Sequence, residues 1–168
     1  MKGYRKMKIQ VFSDSHGGQP VMINAVNKEK PDVIIHLGDF ISDFKALSEQ
    51  FPRIEAYGVK GNCDHRLTSY GRERLMITFE GLKLLLVHGH QYDVKLGLER
   101  LYFAALEAEA DIALFGHTHI SYLEKVKGIT FMNPGSIGRG LTPSYGIINI
   151  SGGEIKAEIL RAQKQPNY

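Results

Sequence analysis

Five times along the chain a short apolar run stops at a polar residue flanked by glycine or serine, and this recurrence limits the possible folds more than any other feature. The runs 8–12, 33–37, 53–59, 82–87 and 112–115 are rich in β-branched residues, leucine and aromatics and read as strands. Each is followed by a tight polar loop: Asp14-Ser15-His16, Gly38-Asp39, Gly61-Asn62-Cys63-Asp64, His88-Gly89-His90 and Gly116-His117-Thr118-His119. After the first loop, Pro20 suits the first turn of a helix carrying Val21, Met22, Ala25 and Val26. After the second, Ser42 is the expected cap of a helix whose apolar face holds Phe44 and Leu47. A strand, loop and helix repeated in this way makes parallel neighbours.

Further along, parallel order gives way to antiparallel. Segments 75–79 and 82–87 form a hairpin across Glu80-Gly81. Leu98, Leu101, Tyr102, Ala105 and Leu106 make the stripe of a core-facing amphipathic helix. Strands at 122–126, 129–133, 145–150 and 155–160 then follow, separated by Lys127-Gly128, a Gly- and Ser-rich loop and Ser151-Gly152-Gly153. About ten strands and three helices are too many for one covered sheet. The economical arrangement is an α/β fold of two sheets packed face to face with helices outside, as one domain over 1–168.

Charge and cysteine content exclude several classes. A net charge of +3, from 21 Lys and Arg against 18 Asp and Glu, provides no extended nucleic-acid surface. Cys63 is the only cysteine, so there is no disulfide framework and no thiolate metal cluster, which favours the cytoplasm. The longest apolar run, 101–106, is far short of the roughly 18 residues needed to span a bilayer. The basic residues Lys2 to Lys8 lead into a stretch too short for a signal peptide. No membrane association is expected. An exposed apolar strip could make a homo-oligomer, but no segment declares itself.

Carboxyl ends of parallel strands line one rim of a sheet, where ligands bind. Asp14, His16, Asp39, Asn62, His88, His90, His117 and His119 all fall there. Two carboxylates, one amide oxygen and several imidazoles form an O/N ligand set for divalent first-row metals. The alternation in Asp14-Ser15-His16 and His117-Thr118-His119 turns both members of each pair to one side of an extended loop. A carboxylate can hold two cations roughly 3.5–4 Å apart, and Asp39 is the candidate bridge.

These five motifs, in this order over 8–160, resemble those of calcineurin-like metallophosphoesterases. The chain's size, Gly61-Asn62-Cys63-Asp64 and Asn133-Pro134-Gly135-Ser136 are similar to the small YfcE-type phosphodiesterase branch, which also includes a protein-binding subunit of the retromer coat. The resemblance implies a four-layer αββα sandwich. It implies two divalent ions of Mn, Ni, Fe or Zn, one held by Asp14, His16 and His119, the other by Asn62, His88 and His117, with Asp39 bridging. It further implies that a hydroxide between the ions attacks phosphorus in line, on a small phosphodiester substrate. The rival reading is a catalytically weak interaction module like the retromer subunit. That relative departs at the bridging-carboxylate motif, whereas Gly38-Asp39 and Gly61-Asn62 keep the enzyme form.

One departure has chemical consequences. Many members carry histidine after Gly-Asn, where it contacts the phosphoryl group or protonates the leaving oxygen; here Cys63 stands there. A thiol near pKa 8.5 is a poorer acid for that task than an imidazole near 6.5, so diesters with acidic leaving groups are the expected substrates. His65 and His90 are the candidate replacements as acid or phosphate ligand, and the sequence does not choose between them. Together with Asp39 and Asn62 they complete the expected catalytic set. His36, embedded in an apolar strand, reads as a structural histidine. Asn133 to Gly140 is a turn or a substrate-facing loop, with Arg139 a candidate phosphate clamp.

Overall fold

Strands β1 (Met7–Phe12), β2 (Val33–His36) and β3 (Glu55–Gly58) lie parallel and adjacent, in register from Ile9 beside Val33 and from Val33 beside Glu55. The computed structural model describes residues 6–64, 71–140 and 142–163. Between these strands run α1 (Gln19–Glu29) and α2 (Ile41–Gln50). The second sheet is built from β4 (Arg74–Phe79), β5 (Leu82–Val87), β6 (Ile112–Leu114), β7 (Tyr122–Val126) and β8 (Ile129–Asn133), with α3 (Glu99–Glu107) crossing from β5 to β6. Strands β9 (Ser144–Ser151) and β10 (Glu154–Arg161) return to the first sheet. The orders are β10-β9-β1-β2-β3 and β4-β5-β6-β8-β7. Both sheets are mixed, because β9 pairs antiparallel with β1 while β5, β6 and β8 run parallel.

Period-two alternation sorts side chains between layers. Ile9, Val11, Val33 and Ile35 of the first sheet meet Leu84, Leu86, Ile112 and Leu114 of the second. On its other face the first sheet presents Phe12 and Ile34 to Met22, Val26, Phe44 and Leu47 of the two helices. Leu85, Val87 and Ala113 meet Leu101 and Ala105 of α3. Each fully buried leucine in these layers contributes about 1.5–3 kcal/mol. The result is helices, sheet, sheet, helix, the expected four layers. Among the described residues no helix is long and apolar enough to cross a membrane.

Two local expectations change. Helix α2 is not capped by Ser42. It starts at Ile41 after Phe40, whose backbone is left-handed (φ 67°), and no side chain of the cap residue bonds to it. The Ile41 N–H instead donates to Asp64 Oδ1 at 2.9 Å, so a carboxylate from the β3 loop supplies the cap and Ser42 is absorbed into the first turn. Strand 53–59 shortens to β3 because Phe51 to Ile54 close a turn, with Ile54 N–H donating to Phe51 O at 3.0 Å.

Candidate metal centre

The loops leaving β1, β2, β3, β5 and β6 meet at one rim, as parallel strands in both sheets require. There Asp14, His16, Asp39 and His119 each offer a ligand atom, and these atoms all lie within 4.8 Å of one another. His119 Nε2 is 3.1 Å from Asp14 Oδ1, and His16 Nε2 is 3.8 Å from Asp39 Oδ2. The other expected ligands border this group. His88 Nε2 lies 3.5 Å from Asp39 Oδ1, 3.9 Å from Asp14 Oδ1 and 3.1 Å from Asn62 Oδ1. The His117 ring centre is 5.1 Å from that of His88. His90 opens a 3-10 turn (His90–Tyr92), its ring 5.4 Å from His88 and 6.1 Å from His117. His65 lies outside the described residues.

The means of convergence differs from the extended-loop expectation. Asp14 (φ 53°), His16 (φ 41°), Asp39 (φ 60°), His117 (φ 69°) and His119 (φ 61°) all have left-handed backbones. An L-residue there costs roughly 1–2 kcal/mol, and Asp, Asn and His are among the side chains most often found in it. The chain must reverse at once after each strand, so successive peptides swing through this region instead of continuing the pleat. Strain of this kind concentrates where the surrounding structure holds a functional side chain in place.

Hydrogen bonds occupy one side of the Asp14 carboxylate and leave the other. Asp14 Oδ2 accepts from Ser13 Oγ at 2.6 Å and from His117 N–H at 3.1 Å, while buried Oδ1 has no hydrogen-bond donor. Asp39 Oδ1 accepts from Cys63 N–H at 2.9 Å. Neither ring nitrogen of buried His16 has a hydrogen-bond partner. Unspent buried acceptors facing one point suit a cation.

Titration behaviour fits the same conclusion. Burial pushes Asp14 up to about 6, against the Ser13 hydrogen bond and the charge of His119. In Asp39 burial is outweighed by His88, the Cys63 hydrogen bonds and His16, and its carboxyl is held below the usual range. Burial lowers His16 and His117, and brings His88 down to about 4, so these imidazoles are neutral and ligand-competent at pH 7. His88 Nδ1 donates to Leu37 O at 2.7 Å, which leaves a lone pair on Nε2. That lone pair faces the oxygens of Asp39 and Asn62, three acceptors together with no proton to share. A divalent cation would resolve this contact.

Glycine permits the approach at two positions. A Cβ on Gly61 would stand 2.1 Å from Asp39 Oδ1, and one on Gly116 would stand 1.9 Å from Ser13 Oγ and 2.8 Å from Asp14 Oδ2. Three supports carry roles the sequence did not disclose. Asp64 accepts the N–H groups of Asp39, Ile41 and Gly61 at 2.9, 2.9 and 2.8 Å, tying the β2 and β3 loops together. Asn133 Nδ2 donates to Gly116 O at 2.9 Å and Thr118 Oγ1 at 3.0 Å, and Ser136 Oγ donates to Asp14 O at 2.8 Å. Thus the segment from Asn133 is a turn that braces two ligand loops; its only advance signal was the run Asn-Pro-Gly-Ser. The exposed Arg139 lies close enough for its charge to act on both His16 and Cys63. Burial and the neighbouring Asp39 push the Cys63 thiol up to about 11.

Comparison with known proteins places the chain in a family. A model of the calcineurin-like phosphoesterase superfamily domain matches residues 7–153. The chain is 35% identical over 134 residues to the probable metallophosphoesterase YsnB of Bacillus subtilis, covering 78% of this chain and 75% of that protein. It is 29% identical over 173 residues to the phosphodiesterase MJ0936 of Methanocaldococcus jannaschii, covering 92% and 99%. A crystal structure from Streptococcus pneumoniae, described as a predicted phosphoesterase, superimposes with a TM-score of 0.78 at 31% identity, over 94% of this chain and 90% of that one.

Proposed function

The chain belongs to the calcineurin-like phosphoesterase superfamily, and we propose that it is a single-domain phosphodiesterase of the reducing cytoplasm, with two divalent cations among Asp14, His16, Asp39, Asn62, His88, His117 and His119. The observation that carries this reading is the facing set of unspent acceptors: Asp14 Oδ1 without a donor and His88 Nε2 turned onto the oxygens of Asp39 and Asn62. Asp14, His16 and His119 would hold one ion and Asn62, His88 and His117 the other, with Asp39 contributing to both. Manganese, nickel, iron or zinc suits this ligand set.

When bound, the ions supply a nucleophile derived from water at neutral pH and neutralise the phosphoryl oxygens. The residues do the rest. The Leu37 carbonyl and the N–H groups of Cys63 and His117 hold the ligands in one orientation before substrate arrives. His90, half-buried beside His88 and His117, is placed to contact a phosphoryl oxygen or to carry the leaving-group proton, with His65 the other candidate for that proton. Arg139 offers a guanidinium to the phosphate from the His16 side. Cys63 is a poorer general acid than an imidazole for a leaving alkoxide, so aryl-type leaving groups, which need no proton, turn over best.

The test uses chelator-stripped protein with Mn²⁺, Ni²⁺, Zn²⁺ or Mg²⁺ restored, assayed on bis-p-nitrophenyl phosphate and p-nitrophenyl phosphate. The diester is cleaved faster, and Asp39→Asn loses the metal-restored rate by about 10³-fold or more. No turnover with any metal would favour the interaction-module reading.

A further inference from the structure

Behind the loop that carries His117 and His119 is an open cavity of about 380 Å³. Its apolar walls are Val94 and Leu98 from the segment before α3, Phe115 after β6, and Tyr122 of β7. Phe115 and Tyr122 form a tilted aromatic pair in its wall, with ring centres 6.1 Å apart at 56°. This volume is in the range of small-ligand sites.

Two residues connect the cavity to the metal centre. Thr118 stands between the two histidine ligands and lines the cavity, its Oγ1 held at 3.0 Å by Asn133 Nδ2, so one braced wall serves both spaces. Lys95 also lines the cavity, is exposed, and lies close enough for its charge to act on His117. At the rim, Ile120, the residue after His119, is 72% exposed, an apolar side chain left in water next to a ligand.

We propose that this cavity seats one ester substituent of the substrate, a planar apolar or aromatic group, while Lys95 at its mouth pairs with the anionic phosphoryl oxygens. The proposal rests on the phosphodiesterase reading. It makes the physiological substrate a diester with at least one aromatic or heteroaromatic arm. The occupant is a small molecule because the cavity shares the Thr118 loop with two of the proposed ligands and carries a cation, Lys95, near enough to His117 to complement a phosphodiester anion.

Two esters with the same p-nitrophenolate leaving group test this: p-nitrophenyl phenyl phosphate and methyl p-nitrophenyl phosphate, with manganese-loaded protein. The wild type favours the phenyl ester in kcat/KM by tenfold or more. Leu98→Trp, which fills the cavity, and Ile120→Glu, which puts a carboxylate at an exposed rim without risk to folding, bring that ratio to within twofold of one. A wild-type ratio near one, or a ratio that neither variant moves, overturns the proposal. Binding is read separately by amide NMR on chelator-treated protein titrated with diphenyl phosphate or dimethyl phosphate. Saturable shifts at Lys95, Leu98 and Thr118 appear with the diphenyl compound only; equal shifts with both, or none, overturn it. If neither ester is cleaved with any metal, the phosphodiesterase reading fails, and the titration still decides the cavity.

Discussion

Two fully buried histidines, His36 and His88, border the same peptide group and are opposite in character. The N–H of Gly38 donates to His36 Nδ1 at 3.2 Å, whereas the carbonyl of Leu37, the other end of that peptide, accepts from His88 Nδ1 at 2.7 Å. His36 is therefore left with its proton on Nε2, which lies 3.1 Å from Ser15 Oγ, and Ser15 Oγ in turn donates to Asp43 Oδ2 at 2.8 Å. Every polar atom of that ring is satisfied, and it stacks on Phe44 with centres 5.8 Å apart. His88 has its lone pair on Nε2, aimed at carboxylate and amide oxygens. Burial lowers both, to about 3 and about 4. What separates a packing histidine from a candidate ligand is thus the partner of Nδ1, not burial or charge state.

The sharpest way to break this comparison is to truncate each ring. His88→Ala should reduce metal-restored diesterase activity by about 10³-fold and, because that ring is also fully buried, cost the metal-free protein about 2–3 kcal/mol. His36→Ala should keep the rate within a few-fold and lose about 3 kcal/mol of stability, from the cavity and the stranded Ser15 and Gly38 groups. Similar activity losses in the two variants would end the distinction. The next effect tests the brace between the β2 and β3 loops. Asp64→Asn replaces an acceptor of backbone N–H groups with an amide that can repel one, and urea unfolding should show a loss of about 2–3 kcal/mol.

Acid sharpens the contrast further. His36 is neutral in the folded chain down to about pH 3, whereas unfolded it takes a proton near 6.5. The unfolded state therefore binds more protons between those values, and the stability that His36 contributes is full above pH 6.5 and falls as pH drops. The stability difference between wild type and His36→Gln should shrink by about 2 kcal/mol from pH 6.5 to 4.5 in chelator-treated protein; a constant difference would contradict a buried neutral ring.

The smallest effect has the opposite sign. Asp14→Asn keeps an acceptor for Ser13 Oγ and His117 N–H but removes a buried charge raised to about 6. It should stabilise the metal-free protein at pH 7 by about 1 kcal/mol and abolish the rise in melting temperature that Mn²⁺ produces.

How much of this was legible varies by residue. Asp14, Asp39 and His88 could be placed at strand ends because apolar runs and glycine turns mark those ends locally, and His36 could be read as structural because the strand continues around it. Asp64 sat within a recognised motif without a role, since its three N–H donors come from two loops and its α2 contact displaced the cap expected at Ser42. The left-handed backbones of His16 and His119 were missed because an alternating spacing describes an extended chain and says nothing about a turn.

The order of strands and helices along the chain and the polar residues gathered at strand ends were legible in the sequence alone, because periodicity and side-chain chemistry are local properties. Which oxygen of Asp14 is left without a donor, which nitrogen of His88 bears the lone pair, and how the His117 loop shares a wall with an apolar cavity were decided only in the tertiary structure. Those depend on the direction of hydrogen bonds between segments up to 103 residues apart, as from His117 to Asp14, and no local pattern encodes such a direction.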